Sequence, residues 1–208
     1  MLRIASFFVA SLTLSAAAQA VTVLTANLTN SQENPPTVPT LSTGGARPAS
    51  SGIAQFILND AMTAMAFNAI VFNIDFTGTQ PADVNDNLSN AHIHASPTAL
   101  PGTNAGVVWG FIGNPFNDNN PNDVIVTPFA SGVGGIVSGK WDLTEGNGTT
   151  LAAQLPNILG GTSYINFHTT QFAGGEIRGQ IQPIPEPETY ALMLVGLSAA
   201  WLARRRRQ

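Results

Sequence analysis

The sequence predicts an all-β fold, an antiparallel β-sandwich or barrel of Greek-key type with one short helix. About eight short segments rich in Val, Ile, Phe, Thr and Ala are separated by clusters of Gly, Pro, Asn and Asp. Charged residues make up only 10% of the chain, whereas Gly numbers 20 and Pro 14. This composition is typical of a β-rich extracellular module with many turns.

Each predicted strand is a β-prone or alternating segment bounded by turn residues. The predicted strands cover residues 22–28, 52–58, 64–76, 91–94, 106–112, 136–143, 163–168 and 175–181. Pro-rich and Asn-rich composition predicts long loops at residues 29–51 and 113–123. The polar stretch 77–90 contains Asp83 and Asp86, but their spacing is not that of an EF-hand, so we expect a solvated loop there.

Helix is predicted in one place within the domain, between residues 143 and 159. Leu151, Leu155 and Leu159 recur at helical spacing, and Thr144 is a candidate N-cap residue. Pro156 is expected to limit the length of this helix, because its ring blocks the backbone hydrogen-bond ladder.

The C-terminal segment has three parts in a fixed order. Pro185-Glu186-Pro187 comes first, an apolar stretch at residues 190–203 follows, and the last part is Arg204, Arg205, Arg206 and Arg207. A helix of about 14 residues spans roughly 21 Å, less than the ~30 Å hydrocarbon core. Because it is shorter than this core, it is a marginal transmembrane helix of the inner membrane. The arginines that follow it are expected to stay on the cytoplasmic side.

This three-part pattern resembles the PEP-CTERM sorting signals of exported Gram-negative proteins. The resemblance implies that a membrane transpeptidase of the exosortase type is a partner and processes residues 184–208. A plain C-terminal anchor that is never cut is the alternative.

The N-terminus has the pattern of a signal peptide. Arg3 precedes an apolar stretch at residues 4–14, and Ala18-Gln19-Ala20 is a cleavage site of the small-x-small type. Signal peptidase is therefore a predicted partner, with residues 1–20 removed and residues 21–183 left as one domain. A signal anchor that stays attached is the alternative.

The charge of this predicted domain excludes one class of partner. Residues 21–183 contain three basic and ten acidic residues, a net charge near −7, so nucleic acid and anionic lipid are repelled. The chain has no cysteine, which excludes disulfides, cysteine nucleophiles and thiolate metal sites.

Three further motifs resemble the CHRD domain, a module first described in chordin. They are Gln32-Glu33-Asn34-Pro35-Pro36, then Ala91-His92-Ile93-His94, and finally the pair formed by residues 164–169 and 174–181. The resemblance implies an immunoglobulin-like or superoxide-dismutase-like β architecture with no agreed catalytic activity. A non-enzymatic protein is therefore expected.

The three histidines of the chain all lie in these motifs. In a strand, His92 and His94 share one face at a separation of about 6.5–7 Å, and His168 is on another predicted strand. If the two strands are close, the three imidazoles form a ligand set for copper or zinc. The alternative is a structural hydrogen-bond network, in which Glu176 orients His168 and the network also includes Arg178 and Tyr164.

The sequence thus predicts an exported cell-surface or extracellular-matrix protein with a structural or adhesive role in surface polymer or biofilm. Surface polysaccharide and matrix proteins are the partners that this role implies, and no cofactor is needed. The alternative is a copper- or zinc-binding redox or metal-handling domain that uses His92, His94 and His168. A ligand-binding surface receptor stays open as a third class.

Overall fold

Ten β-strands and one α-helix make up the fold in the computed structural model, which describes residues 21–184. The strands are β1 (Thr22–Thr29), β2 (Ser51–Leu58), β3 (Ala64–Phe72), β4 (Leu88–Ala95), β5 (Val107–Ile112), β6 (Ile125–Pro128), β7 (Gly134–Asp142), β8 (Ser163–Thr169), β9 (Ile177–Gln180) and β10 (Gln182–Pro183). The helix α1 is Leu151–Leu159, and a 3-10 turn at Asn30–Gln32 follows β1.

All strand pairs are antiparallel and belong to one sheet. Its order is β5-β4-β8-β9-β1-β2-β3-β7-β6, and β10 pairs with β1. The connections from β3 to β4, from β5 to β6 and from β7 to β8 join strands that are not neighbours, as in Greek-key topologies. The prediction of an all-β antiparallel sandwich or barrel is confirmed.

The sheet curls over its own apolar face and forms a half-barrel. Trp109 on β5 stacks on Trp141 of β7 with ring centroids 5.4 Å apart, although the two strands lie near opposite edges of the sheet. Phe67 on β3 meets the edge of Trp109 at 5.8 Å. These contacts bring the two halves of the sheet face to face and place the core between them.

Residue alternation along the strands determines which side chains enter this core. On β2, Ala54, Phe56 and Leu58 are buried, while Ile53 and Ile57 face outward. The buried apolar residues form one cluster within residues 24–181. Residues 21–184 therefore contain a complete core of their own, which is what an independently folding domain needs.

The structure corrects the sequence prediction at three strands and one loop. Strands β6 and β10 were not predicted, and strand β3 ends at Phe72 rather than at residue 76. The loop 77–90 is not fully solvated, because Asp75, just before it, and Asp86 within it are both buried. Asp75 accepts hydrogen bonds from the backbone N–H groups of Thr77, Gly78 and Gln80, which tighten the loop.

The helix lies within the predicted region but starts later than Thr144 suggested. Thr150 is the N-cap, and its Oγ1 accepts a hydrogen bond of 3.2 Å from the Ala153 N–H. Leu151 and Ile158 are the buried residues of α1, and Pro156 lies inside it, three residues before its end.

The two ends of the chain lie outside the described residues. The predicted signal peptide, the sorting-motif residues Pro185, Glu186 and Pro187, the predicted C-terminal hydrophobic helix and the arginine cluster all belong to these ends. Within residues 21–184, no helix has the length and hydropathy of a membrane span.

Candidate metal centre

Neighbouring strands β4 and β8 bring the three histidines together. The register pairs His92 with Asn166, His94 with Tyr164 and Asn90 with His168. Because paired residues of antiparallel strands project from the same face, these side chains form one layer. The core residues between them, such as Ile93, project from the opposite face.

The imidazoles are close and almost inaccessible to solvent. One nitrogen from each ring lies within 4.8 Å of the other two, and His92 Nδ1 is 3.2 Å from His168 Nε2. The exposed fractions of His92, His94 and His168 are 4%, 8% and 5%. The structure thus places all three predicted ligand candidates in one buried cluster.

Backbone carbonyls orient two of the rings. His94 Nδ1 is 2.9 Å from the Ala105 carbonyl oxygen, and His168 Nδ1 is 2.9 Å from the Ala173 carbonyl oxygen. A carbonyl only accepts, so each Nδ1 carries the proton and each Nε2 has a lone pair. Tyr164 fixes the plane of the His94 ring by stacking on it at 4.8 Å.

The third tautomer follows from the other two. Since His168 Nε2 is unprotonated, His92 donates its Nδ1–H to it and keeps a lone pair on Nε2. The Nε2 atoms of His92 and His94 are buried and have no hydrogen-bond partner among residues 21–184. Two imidazole lone pairs are therefore left without a proton donor.

Burial keeps the cluster neutral. Desolvation, followed by repulsion from the other two histidines, lowers the pKa of His92 to about 3. Desolvation is also the main cause that lowers the pKa of His94 to about 4, and it lowers the pKa of His168. At neutral pH all three rings are in the form that binds metals.

The donor set fits a borderline transition metal. Three neutral imidazoles suit zinc or copper, and carbonyl acceptors on the far nitrogens are the usual outer partners of metal-bound histidines. Nitrogens around a tetrahedral zinc ion are about 3.3 Å apart, given Zn–N bonds of about 2.0–2.1 Å. One nitrogen from each ring lies within 4.8 Å of the other two, so a small inward shift of the rings gives this spacing.

A glycine lets the covering loop approach the cluster. Gly110 on β5 pairs with His92. A Cβ atom at this position would overlap the Pro115 carbonyl group and lie 3.1 Å from His92 Cδ2. The absence of a side chain therefore allows the loop around Pro115 to close over one side of the histidines.

Further polar residues extend the buried layer beyond the histidines. The Arg178 guanidinium lies 4.5 Å above the Tyr164 ring, and its Nη1 donates to the Thr103 carbonyl and to Asn104 Oδ1. The glycine at position 175 faces both Glu33 and Asn166, since a Cβ there would lie 2.8 Å from Glu33 Oε1 and 2.5 Å from the Asn166 amide.

Three atoms of this layer also lack hydrogen-bond partners within residues 21–184: Glu33 Oε1, Asn166 Oδ1 and Arg178 Nη2. Burial raises the pKa of Glu33 to about 7, against the opposing effect of the Arg178 charge. The layer is therefore polar, buried and incompletely hydrogen-bonded.

The prediction that Glu176 orients His168 is wrong. His168 bonds the Ala173 carbonyl instead, and the buried Glu176 pairs with Arg47 at 2.7 Å. Ser50 and Thr169 also donate to the Glu176 carboxylate. Arg47 was not among the predicted site residues, although the domain has only three basic residues and a buried glutamate needs a cation beside it.

Comparison with known proteins agrees with the motifs. The family model of the CHRD domain matches residues 24–181, and that of the PEP-CTERM protein-sorting motif matches residues 183–207. Neither the curated proteins nor the solved structures gave a match. The sorting motif implies processing by an exosortase and export to the cell envelope or surface of a Gram-negative bacterium. With its buried histidine cluster in a curled antiparallel sheet, the chain belongs to the CHRD domain family and carries a C-terminal PEP-CTERM sorting motif.

Proposed function

We propose that the folded part of this exported, exosortase-sorted protein is a metal-binding module. His92, His94 and His168 hold one copper or zinc ion between β4 and β8. The observation that carries the proposal is the set of three buried, neutral imidazoles, two of which have Nε2 lone pairs without a partner among residues 21–184.

The alternative of a purely structural network accounts less well for these contacts. A network that serves only stability satisfies its own buried polar atoms, since each one left unpaired costs about 1–3 kcal/mol. Here the Nε2 atoms of His92 and His94 remain unpaired within the described part of the chain. A metal ion that accepts these lone pairs removes that cost.

Copper is favoured over zinc by intrinsic affinity, because nitrogen sites follow the Irving–Williams order. When bound, the ion supplies a cross-link between two strands and, if it is copper, one-electron redox chemistry. The residues of this chain orient the ligands: the carbonyls of Ala105 and Ala173 hold two rings, and Tyr164 stacks on one of them. Burial of all three ligands favours a non-catalytic, metal-holding role.

A structural or adhesive role in surface polymer or biofilm is the second candidate. It is supported by the outward face of β2 and β3, where Ile53, Ile57 and Phe72 are exposed by 50%, 44% and 46%. Apolar side chains on one sheet face are suited to contact with matrix proteins or polysaccharide. The two roles are compatible, since the histidines lie elsewhere in the fold.

Metal content and thermal unfolding of the 21–184 segment test the proposal. We expect one copper or zinc ion per chain after loading, and a melting temperature that falls when a chelator removes the ion. The double variant His92→Ala/His94→Ala should bind no metal and should show no response to chelator.

The matched control replaces Asn68 and Gln55 by alanine, because both lie on the outward face of the sheet and belong to no part of the cluster. This control should bind metal like the unmodified domain. A folded domain that takes up neither copper nor zinc and ignores chelator would overturn the metal assignment and leave the structural role.

A further inference from the structure

Three sequons of the form Asn-x-Ser/Thr occur in the domain, beginning at Asn27, Asn87 and Asn147. This tripeptide is the acceptor for N-linked glycosylation of exported proteins, and a modified sequon is expected in a surface loop. Chance also produces such tripeptides in a chain rich in Asn and Thr. The position of each sequon in the fold therefore decides whether a transferase can bind it.

Two of the sequons are held by the sheet. Asn27 lies within β1, where it pairs with Ile53 of β2 on one side, and its carbonyl oxygen packs against Gly179 of β9 on the other. Asn87 directly precedes β4 and is half-buried, and its carbonyl accepts a hydrogen bond of 3.0 Å from the Thr170 N–H. A transferase that bound either segment would have to separate elements of the core.

The third sequon lies on the surface, in the loop of residues 143–150 between β7 and α1. Asn147 and Gly148 are exposed, and Thr149 is half-buried. Gly148 has a φ of +65°, in the left-handed region, and a Cβ atom there would meet no other atom within 4 Å. The chain therefore turns at the surface, with open space beside the asparagine.

The hydrogen bonds of this loop are compatible with a substituent on the asparagine. The Asn147 backbone N–H donates to the Val108 carbonyl at 2.7 Å, and its side-chain Nδ2 donates to the Val107 carbonyl at 3.2 Å. A primary amide has two N–H groups, so a sugar can replace one hydrogen while the other keeps this contact. Thr149 Oγ1 accepts from Gln154 Nε2 at 2.9 Å and still has its own proton to donate. A glycan on Asn147 thus requires no rearrangement of the sheet.

The export route of the chain brings this loop close to a membrane. The signal-peptide pattern predicts that the domain crosses the inner membrane, and the PEP-CTERM motif at residues 183–207 implies processing by an exosortase, which is a membrane enzyme. Until that processing, the C-terminal segment keeps the domain beside the outer side of the inner membrane. A lipid-linked sugar donor in the same membrane is therefore within its reach.

We propose that Asn147 is an N-glycosylation site, modified by a membrane oligosaccharyltransferase that uses a lipid diphosphate-linked oligosaccharide as donor. A bond forms between Asn147 Nδ2 and C1 of the first sugar, and the bond between C1 and the diphosphate oxygen breaks. The amide nitrogen loses one proton, and the lipid diphosphate leaves with the electron pair of the broken bond. The glycan then projects from the loop before α1 and adds a hydrated sugar chain to the surface of the domain.

Mass spectrometry of the protein purified from the bacterium that produces it tests this proposal. We expect the proteolytic peptide that contains Asn147 to have the added mass of an oligosaccharide, and fragmentation should place the sugar on this residue. Thr149→Ala should abolish the added mass although the asparagine is retained, because the sequon loses its hydroxyl group. Thr149→Ser restores a hydroxyl group and should restore the added mass, which a merely structural effect of the alanine would not predict.

Asn27→Gln and Ser89→Ala are the matched controls, since each removes one of the other sequons at an exposed position. Both variants should keep the full added mass. The assignment is overturned if the Asn147 peptide has only its unmodified mass, if Thr149→Ala keeps the glycan, or if either control removes it. These outcomes do not depend on whether the histidines bind metal, because the sequon contains no residue of the cluster.

Discussion

At the scale of single residues, Glu33 shows that a charge inside the buried layer is unfavourable. Its carboxyl lies beside Asn166 and the Arg178 charge, yet its Oε1 has no hydrogen-bond partner within residues 21–184. Burial raises its pKa from 4.5 to about 7, so the protonated form is favoured in the folded state. The carboxyl therefore costs stability when it ionises.

The Glu33→Gln variant tests this cost. The folded state holds the Glu33 proton up to a pKa of about 7 and the unfolded state only up to 4.5, so the unmodified domain loses stability as pH rises between these values. Glutamine mimics the protonated form and does not titrate. The variant should gain up to about 3 kcal/mol relative to the unmodified domain between pH 4 and pH 8.

Urea unfolding of both proteins at the two pH values measures this gain. The Asp60→Asn variant is a suitable control, because Asp60 is exposed in the turn after β2. A stability difference between Glu33→Gln and the unmodified domain that is the same at both pH values would contradict the assigned ionisation.

Part of the site could be predicted from residue patterns and part could not. The spacing of His92 and His94 fixes a shared strand face, whereas the closeness of His168 depended on β4 and β8 being neighbours, which the residue pattern did not determine. The hydrogen-bond partners of His94 and His168 lie in loops. They are the backbone carbonyls of Ala105 and Ala173, and because every residue type has such a carbonyl, the sequence does not indicate these contacts. Arg47 reaches Glu176 from a loop 129 positions away, and no periodic pattern predicts such a contact.

At the scale of elements, strands with a buried face were predictable and the others were not. Strand β2 alternates clearly between buried and exposed residues, and it was predicted within one residue of its bounds. Strand β6 has four residues, all exposed, so it has no hydrophobic alternation to detect. Strand β10 has two residues and is defined by its pairing with β1 rather than by its own composition.

The helix start gives a test at this scale. Thr150→Ala should destabilise the domain by about 1 kcal/mol, because it removes the acceptor of the Ala153 N–H. Thr144→Ala changes the residue that the sequence favoured as the cap, and it should have little effect, since Thr144 is exposed and precedes the helix by several residues. Denaturant midpoints of the two variants make the comparison; equal losses would contradict the capping assignment.

At the scale of the whole molecule, the order of the strands in the sheet could not be predicted from local sequence patterns. The pairs β4 with β8, β9 with β1 and β3 with β7 join segments far apart in the chain. Such pairings depend on how the apolar faces pack together rather than on any single segment. The Trp109–Trp141 stack, which fixes the curl of the sheet, is of this kind.

The C-terminal sorting motif is expected to direct the processing and localisation of the protein, and this can be tested in cells. Replacing Pro185, Glu186 and Pro187 by alanine should block exosortase processing, so that the full-length chain accumulates in the inner membrane. Replacing the adjacent Glu188 and Thr189 is the matched control and should leave processing largely intact. Fractionation with mass measurement of the mature chain distinguishes the two. Normal processing of the triple variant would contradict the role of the motif.

The hydrogen bond from the Ile184 N–H to the Val23 carbonyl, 2.8 Å long, has a consequence for evolution. It places the first and last residues of the domain next to each other. A domain with adjacent termini can be inserted into a loop of a host protein, or repeated along a longer chain, without separating the host strands. The same closeness makes the fold suitable for circular permutation, with residues 184 and 21 joined by a short linker and new termini opened in a surface loop.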